Sequence, residues 1–184
     1  MNIKAILTAA VIVTSLAACT NDNNSAEGTE FTTEVEQQTT TDSHAAEAAP
    51  SAPALPPFTL QNAHGEAVNL QSFKGKKVFV NLWATWCPPC RAEMPSIERL
   101  SKQVDPAKVA FVMLSLDDDF NKAKSFVHKK KLDLPVYYPG ENLPELFNVQ
   151  GIPATFIFNE RGELIRRIDG GEKYDTDKYR QLLK

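Results

Sequence analysis

The C-terminal part of the chain has a hydrophobic pattern that predicts a mixed α/β domain. Residues 78–83 and 109–116 are apolar at almost every position, whereas a strand with one face in water would alternate apolar and polar residues. Both runs are therefore predicted to be strands that are covered on their two faces. Between them, residues 91–104 have the spacing of an amphipathic helix.

Shorter apolar segments complete the order β-β-β-α-β-α-β-(α)-β-β-α, which has no internal repeat. Residues 58–60 and 67–70 flank a turn-forming segment and predict a hairpin ahead of the first buried strand. Three consecutive aspartates, residues 117–119, are suited to the start of the next helix, and the lysines at residues 129–131 are suited to its end. Further strands are predicted at residues 134–138, 154–158 and 164–168, a helical turn at residues 143–149 and a closing helix at residues 174–183.

The first 18 residues have the pattern of a secretory signal peptide. Lys4 supplies the positive start, and an apolar core ending in small residues follows it. This core is too short to span a bilayer stably. Cys19 comes next, and the run Leu16-Ala17-Ala18-Cys19 resembles the bacterial lipobox. That resemblance implies that Cys19 is the lipid-bearing first residue of the mature protein; the alternative is an ordinary signal with a chance cysteine.

Composition divides the remainder into an acidic tether, residues 19–54, and a folded domain, residues 55–184. The tether has too few large apolar side chains to offset its chain entropy, which predicts disorder, and a passive spacer would fit it equally well. No Lys or Arg occurs from Ala5 to Phe73, but basic residues outnumber acidic ones after that point. With 184 residues and a net charge of −3, the chain can form one domain plus tails and shows no general attraction to nucleic acid.

Cys87 and Cys90 are the strongest candidates for chemistry. They lie between a predicted buried strand and a predicted helix, the setting in which a Cys-X-X-Cys pair indicates a redox dithiol. A structural disulfide and half of a zinc site are the alternatives. A zinc site would need two further ligands, and the chain offers only Cys19 and three scattered histidines.

Their positions predict different roles for the two cysteines. Cys87 is expected to cap the helix, with Pro88 at its first position, so that the helix amides and dipole favour the reactive thiolate. Cys90, one turn further and more buried, would resolve the mixed disulfide that Cys87 forms with a substrate. Pro88 and Pro89 remove two N–H donors from the Cys87 sulfur, which predicts a more reducing couple.

Residues 81–95, which contain Trp86-Cys87-Pro88-Pro89-Cys90, resemble the active-site segment of the thioredoxin superfamily, and in detail that of its membrane-anchored TlpA/ResA-like branch. The run at residues 151–155 resembles the second signature of this superfamily, a cis proline that faces the dithiol. The resemblance implies an α/β thioredoxin fold, with a central mixed β-sheet flanked by helices and an N-terminal β-hairpin extension. For Pro153, the alternative to a cis proline is a trans proline that opens the following strand. Residues expected to contact substrate are Trp86, Pro88, Pro89, Ile152 and Pro153.

Glu93 is the expected catalytic acid. The thioredoxin pattern has a buried aspartate where this chain has Asn81, which cannot accept a proton, and the ResA-like branch places an acid at the position of Glu93. Burial would raise the pKa of Glu93, whereas the helix N-terminus would lower it. We expect Glu93 to accept the proton of Cys90; an exposed glutamate in the first helical turn is the alternative.

The resemblance implies an extracytoplasmic thiol-disulfide oxidoreductase that mainly reduces protein disulfides. Electrons would pass through the Cys87–Cys90 pair, so that no metal or organic cofactor is needed. The protein would be held in the bacterial cell envelope by its lipid anchor and be reduced again by a membrane electron donor of the CcdA/DsbD type, with apocytochrome c among its substrates. The alternatives are a disulfide-forming oxidase, an isomerase, a peroxidase or a copper metallochaperone, although the copper-carrying relatives use a Cys-X-X-X-Cys spacing.

Overall fold

A seven-stranded mixed sheet forms the centre of the fold in the computed structural model, which describes residues 53–184. The strands are β1 (Thr59–Asn62), β2 (Ala67–Asn69), β3 (Lys77–Trp83), β4 (Val109–Ser115), β5 (Val136–Pro139), β6 (Ala154–Phe158) and β7 (Leu164–Asp169). The helices are α1 (Pro88–Ser101), α2 (Phe120–Lys130) and α3 (Asp177–Leu182), with short 3-10 helices at Leu70–Phe73 and Glu145–Phe147. The predicted signal peptide, the lipidation of Cys19 and nearly all of the tether lie outside the described residues.

The sheet has the strand order β2-β1-β5-β4-β3-β6-β7. β3 is central: it runs parallel to β4 and antiparallel to β6, and Asn81 lies opposite Met113 on one side and Thr155 on the other. The hairpin of β1 and β2 joins the sheet through β5. The α/β class and the predicted order of elements are confirmed.

Both faces of the central strands are covered, as their continuous apolar sequence predicts. Phe79 and Trp83 on β3 belong to a core cluster shared with the apolar side chains of α1, α2 and the C-terminal segment. Val80 and Leu82 point to the opposite face, into a second cluster built around Phe58, Phe147 and neighbouring side chains. This division follows from the two-residue period of a strand, and it places Asn81 on the same face as α1.

Helix α1 presents one buried stripe to the sheet. Cys90, Met94, Ile97 and Leu100 are all fully buried and follow one another at four- and three-residue intervals, the repeat of one helix face. Pro95 lies inside the helix on its exposed side, and the helix continues past it to Ser101. The stripe fixes α1 against the sheet, so that its first turn stays at the end of β3.

Two predicted features differ from the structure. The closing helix begins at Asp177 rather than at residue 174, because Tyr174 is fully buried before it and its N–H donates to Ser96 Oγ at 3.1 Å. Asp119 caps α2 as expected, but Asp117 is buried and lies before the helix. Within the part of the chain that the structure describes, no helix is both long and apolar enough to cross a bilayer.

Candidate active site

The two cysteines form a disulfide at the start of α1. The Cys87–Cys90 S–S distance is 2.05 Å and the two Cα atoms are 5.3 Å apart. Cys87 is the N-cap of the helix, and its Sγ accepts the N–H of Cys90 at 3.2 Å. Because Pro88 and Pro89 have no N–H, Cys90 supplies the first backbone donor that the helix offers to this sulfur. The predicted loss of two donors at Cys87 is therefore present in the structure.

A loop ahead of β6 lies against Cys87. The Ile152–Pro153 peptide bond is cis, in agreement with the prediction. The carbonyl oxygen of Ile152 is 3.7 Å from Cys87 Sγ. Trp86 is 64% exposed beside them, whereas Trp83 is fully buried in the core. The side chains expected to contact substrate thus include one large exposed aromatic group next to the disulfide.

Glu93 is buried on the second turn of α1, three residues after Cys90. Its side chain accepts two hydrogen bonds, from Asn81 Nδ2 at 2.7 Å and from the backbone N–H of Glu172 at 3.1 Å. Burial raises the pKa of Glu93 to about 7, against the lowering effect of those two bonds. Since only 4% of Glu93 is exposed, the alternative of a solvated first-turn glutamate is wrong. A carboxyl group with this pKa can gain or lose a proton near neutral pH.

A cleft of about 450 Å³ connects this carboxyl group with the surface. It is lined by Pro89, Glu93, Ser96, Gly171, Glu172 and neighbouring side chains. Water in this cleft can exchange protons with Glu93, whereas the two cysteines are almost fully buried. The arrangement therefore gives a buried acid a route to solvent.

Glu93 belongs to a larger buried network that sequence reasoning found only in part. Asn81 Nδ2 also donates to Thr155 Oγ1 at 2.9 Å, and the Tyr174 hydroxyl donates to the same oxygen at 2.7 Å. Among residues 53–184, the buried Asn81 Oδ1 has no hydrogen-bond partner. Burial raises the pKa of Tyr174, which keeps its hydroxyl protonated as a donor. Thr155 lies in the second sequence motif, but nothing in the sequence pattern pointed to Tyr174.

Asp117 is a second buried acid near the dithiol, and sequence reasoning assigned it only to the helix start. Its carboxylate accepts the Thr85 N–H at 3.1 Å, the Thr85 hydroxyl at 2.6 Å and the Ser115 hydroxyl at 2.8 Å. Thr85 comes two residues before Cys87, so these bonds hold the loop between β3 and α1. The position of Asp117 just after β4, beside the end of parallel β3, was the available signal, because ligand and catalytic groups gather at the carboxyl ends of parallel strands.

Metal ligation is not suggested by the side chains that surround the dithiol. Among residues 53–184, no group of three or more His, Cys, Asp or Glu side chains is arranged to hold a metal ion. The electron-carrying group of the site is the cysteine pair itself.

Comparisons with known proteins agree with this geometry. The model of the Redoxin family matches residues 49–183. The thioredoxin-like protein YneN of Bacillus subtilis is 38% identical over 109 residues, which are 58% of this chain and 64% of YneN. The thiol-disulfide oxidoreductase ResA of Halalkalibacterium halodurans is 30% identical over 129 residues, which are 69% of this chain and 73% of that protein.

A solved structure gives the same result for the fold. The thiol:disulfide interchange protein of the thioredoxin family from Chlorobium tepidum TLS superimposes with a TM-score of 0.61 and 28% identity. The superposition covers 73% of this chain and 97% of the other. The two proteins thus share the fold of the described domain.

Proposed function

Because this chain belongs to the Redoxin family, in the ResA-like branch of the thioredoxin superfamily, and is a thiol-disulfide oxidoreductase, we propose that it works mainly as a reductase of protein disulfides outside the cytoplasm. The observation that carries the proposal is the pairing of two groups on α1. A disulfide lies at its first turn, and a buried glutamate with a pKa of about 7 lies on the next. These are the electron carrier and the proton acceptor that disulfide exchange requires.

The reduced protein would act in two steps. The Cys87 thiolate attacks one sulfur of the substrate disulfide, and the other substrate sulfur leaves as a thiolate that takes up a proton. Glu93 then accepts the proton of Cys90, whose thiolate attacks Cys87 Sγ. This second attack releases the substrate with both of its sulfurs reduced and leaves the Cys87–Cys90 disulfide found in the structure.

The hydrogen bonding of Cys87 supports the reducing direction. A thiolate that is strongly stabilised by helix donors makes its disulfide a better oxidant. Here Pro88 and Pro89 provide no N–H, and Cys90 provides one, at 3.2 Å from the sulfur. The Cys87 thiolate therefore receives less stabilisation than a helix start without prolines would give it.

Location and partners are also part of the proposal. The signal-like N-terminus and the lipobox ending in Cys19 support an exported protein that is lipid-anchored in the cell envelope. In an oxidising compartment, a reductase has to be reduced again, which implies a membrane electron donor of the CcdA/DsbD type. Apocytochrome c is a candidate substrate, because its haem-binding cysteines must be reduced before haem attachment.

The test is the reduction potential of the Cys87–Cys90 couple, measured by equilibrating the protein with a dithiol buffer and counting thiols by mass spectrometry. We expect a value near that of thioredoxin, about −270 mV. A value near that of a strong oxidant, about −120 mV, would reverse the proposed direction and favour a disulfide-forming oxidase. Copper binding by the reduced protein would instead favour the metallochaperone alternative.

A further inference from the structure

A groove runs between α1 and α2 and opens beside the dithiol. We call it the basic groove and define it by the side chains of Pro88, Arg91, Pro95, Phe126, Lys130 and Leu132. Its volume is about 450 Å³, within the range of sites that bind small molecules or peptide side chains. Because Pro88 directly follows Cys87, a polypeptide bound through a disulfide at Cys87 has the mouth of this groove next to it.

The groove continues along α2 as a second cavity of about 510 Å³. The two cavities share Arg91 and Phe126, and the second also reaches Lys122 and Lys129. Phe126 is half-buried and provides an apolar floor along the joint. Because they share these two residues, the two cavities form one continuous channel on the surface.

The charges along this channel are strongly one-sided. Helix α2 contains four lysines and no acidic residue. Arg91, Lys129 and Lys130 are exposed, and among residues 53–184 none of them has a carboxylate within 4.0 Å. The cavity next to the dithiol has no acidic side chain in its lining.

A single acidic side chain lines the two cavities, and it belongs to the second cavity, which is also lined by Thr85, two residues before Cys87. Asp119 lines the second cavity, where it caps α2 by accepting the N–H of Asn121. Asp118 forms an ion pair with Lys122 at 2.6 Å, which neutralises that lysine. The unpaired positive charge of the two cavities is therefore carried by Arg91, Lys129 and Lys130.

We propose that the basic groove binds an acidic segment of the protein substrate, next to the disulfide that Cys87 attacks; this rests on the proposed function as a disulfide reductase. Glu or Asp side chains of that segment would pair with Arg91 and Lys130 in the groove and with Lys129 in the adjoining second cavity. Its apolar side chains would contact Phe126 and Pro95. The substrate class is thus a protein whose reducible disulfide has acidic and apolar residues beside it. Charge complementarity of this kind mainly increases the rate of association and decides between partners.

The chain itself contains a possible competitor for the groove. Residues 22–47 contain several Asp and Glu and no Lys or Arg. We assign the groove to a substrate because Pro88 places it beside the reacting cysteine. An acidic segment of the same chain remains an alternative occupant that the experiment has to separate.

The experiment compares two disulfide peptides of equal length that differ only in the residues beside the disulfide, four Glu in one and four Gln in the other. The rate constant for their reduction is measured with the full chain in its reduced form. We expect the acidic peptide to react about ten-fold faster at low ionic strength, and the ratio to fall towards one as salt screens the charges. The double substitution Lys129→Glu and Lys130→Glu should bring the ratio of the two rate constants to about one. The matching Gln substitutions should give a ratio between this value and that of the wild type.

The control variant carries Lys74→Glu and Lys108→Glu, which change the net charge equally. Both lysines are exposed and precede β3 and β4, at the end of the sheet away from the dithiol. This variant should keep the preference for the acidic peptide. A ratio that falls equally in both variants, or that is one in the wild type, would overturn the groove assignment while leaving the reductase function intact.

A version of the acidic peptide in which Ser replaces each Cys can bind but cannot be reduced. Its binding distinguishes a failure of the groove assignment from a failure of the proposed reductase function. If this peptide binds through Lys129 and Lys130 but neither disulfide peptide is reduced, the groove assignment stands and the proposed function fails. If the preference for the acidic peptide appears only after the acidic residues at positions 22–47 are changed to Asn and Gln, the groove is occupied by the chain's own segment. That outcome would overturn the assignment to a substrate.

Discussion

Replacing Glu93 by Gln should change how the stability of the oxidised protein depends on pH. The pKa of Glu93 is raised by burial from 4.5 to about 7, so the folded state binds a proton more tightly than the unfolded state does. Stability contributed by this group is therefore fully present below about pH 4.5 and is lost as pH rises through about 7. The shift corresponds to about 3 kcal/mol of unfolding free energy. The neutral amide of the E93Q variant does not titrate and removes this loss.

The assay is urea unfolding of the oxidised wild type and of E93Q, without reductant, at several values from pH 4 to pH 9. The quantity of interest is the difference in unfolding free energy between the two proteins at each pH. A constant offset of about 1 kcal/mol is expected, because Gln presents an N–H₂ group to a neighbouring donor and loses one hydrogen bond. Apart from that offset, the unfolding free energy of E93Q relative to the wild type should rise by about 3 kcal/mol from acid to alkaline pH.

Glu98 provides the matched control on the same helix. Its pKa is lowered, chiefly because it accepts the backbone N–H of Asp133. The pH dependence therefore has the opposite sign, because Glu98 contributes stability above its unfolded pKa that is lost as pH falls. The E98Q variant should be less stable than the wild type at neutral pH. A difference between wild type and E93Q that stays constant across the pH range would refute the argument from burial. It would mean that Glu93 titrates at an ordinary value in the folded protein.

Three further outcomes follow from the site. In E93Q, the step in which Cys90 resolves a mixed disulfide should be slower, and its rate should no longer change near pH 7, as measured by rapid acid quench. An unchanged dependence of this rate on pH would exclude proton transfer to Glu93. Cys90→Ser should trap a covalent complex with a disulfide substrate, visible as added mass that reductant removes. Among the three aspartates, Asp117→Ala should lower the unfolding free energy by about 2–3 kcal/mol, because it leaves buried donors unpaired. Asp119→Ala should lower it by about 1 kcal/mol through loss of the α2 cap, and Asp118→Ala should have no measurable effect, since its ion pair is exposed. Equal losses in all three variants would contradict the roles assigned to these residues.

The elements that the sequence predicted best are those whose burial is complete. β3 and β4 were recognised because strands covered on both faces must be apolar throughout, and the helix start was recognised because Cys87 and Pro88 have defined positions there. The cis proline and the role expected of Glu93 came from the family resemblance rather than from hydrophobic periodicity. The apolar strands, the helix start and the two family motifs can all be read locally, because each depends only on residues that are close in the sequence.

The parts that were missed depend on contacts between distant residues. Asp117 stands in a run of three acids that resembles a solvated helix start, and only the approach of Thr85, 32 residues away, explains its burial. Tyr174 looked like the first residue of the closing helix, but its hydroxyl is needed at Thr155 and its N–H at Ser96. Such tertiary bonds override local helix preference, and no single-sequence pattern encodes them.

The central place of β3 has a consequence for how the chain folds. One side of β3 pairs with β4, which is near in sequence, but the other side pairs with β6, so that Asn81 meets Thr155 only after 74 further residues have been made. Similarly, β1 has to wait for β5 before it joins the sheet. A chain that emerges from the ribosome N-terminus first cannot complete its central sheet until nearly all of it has been synthesised, and such long-range pairing is intrinsically slow. The nascent protein should therefore keep its central sheet incomplete until β6 has left the ribosome.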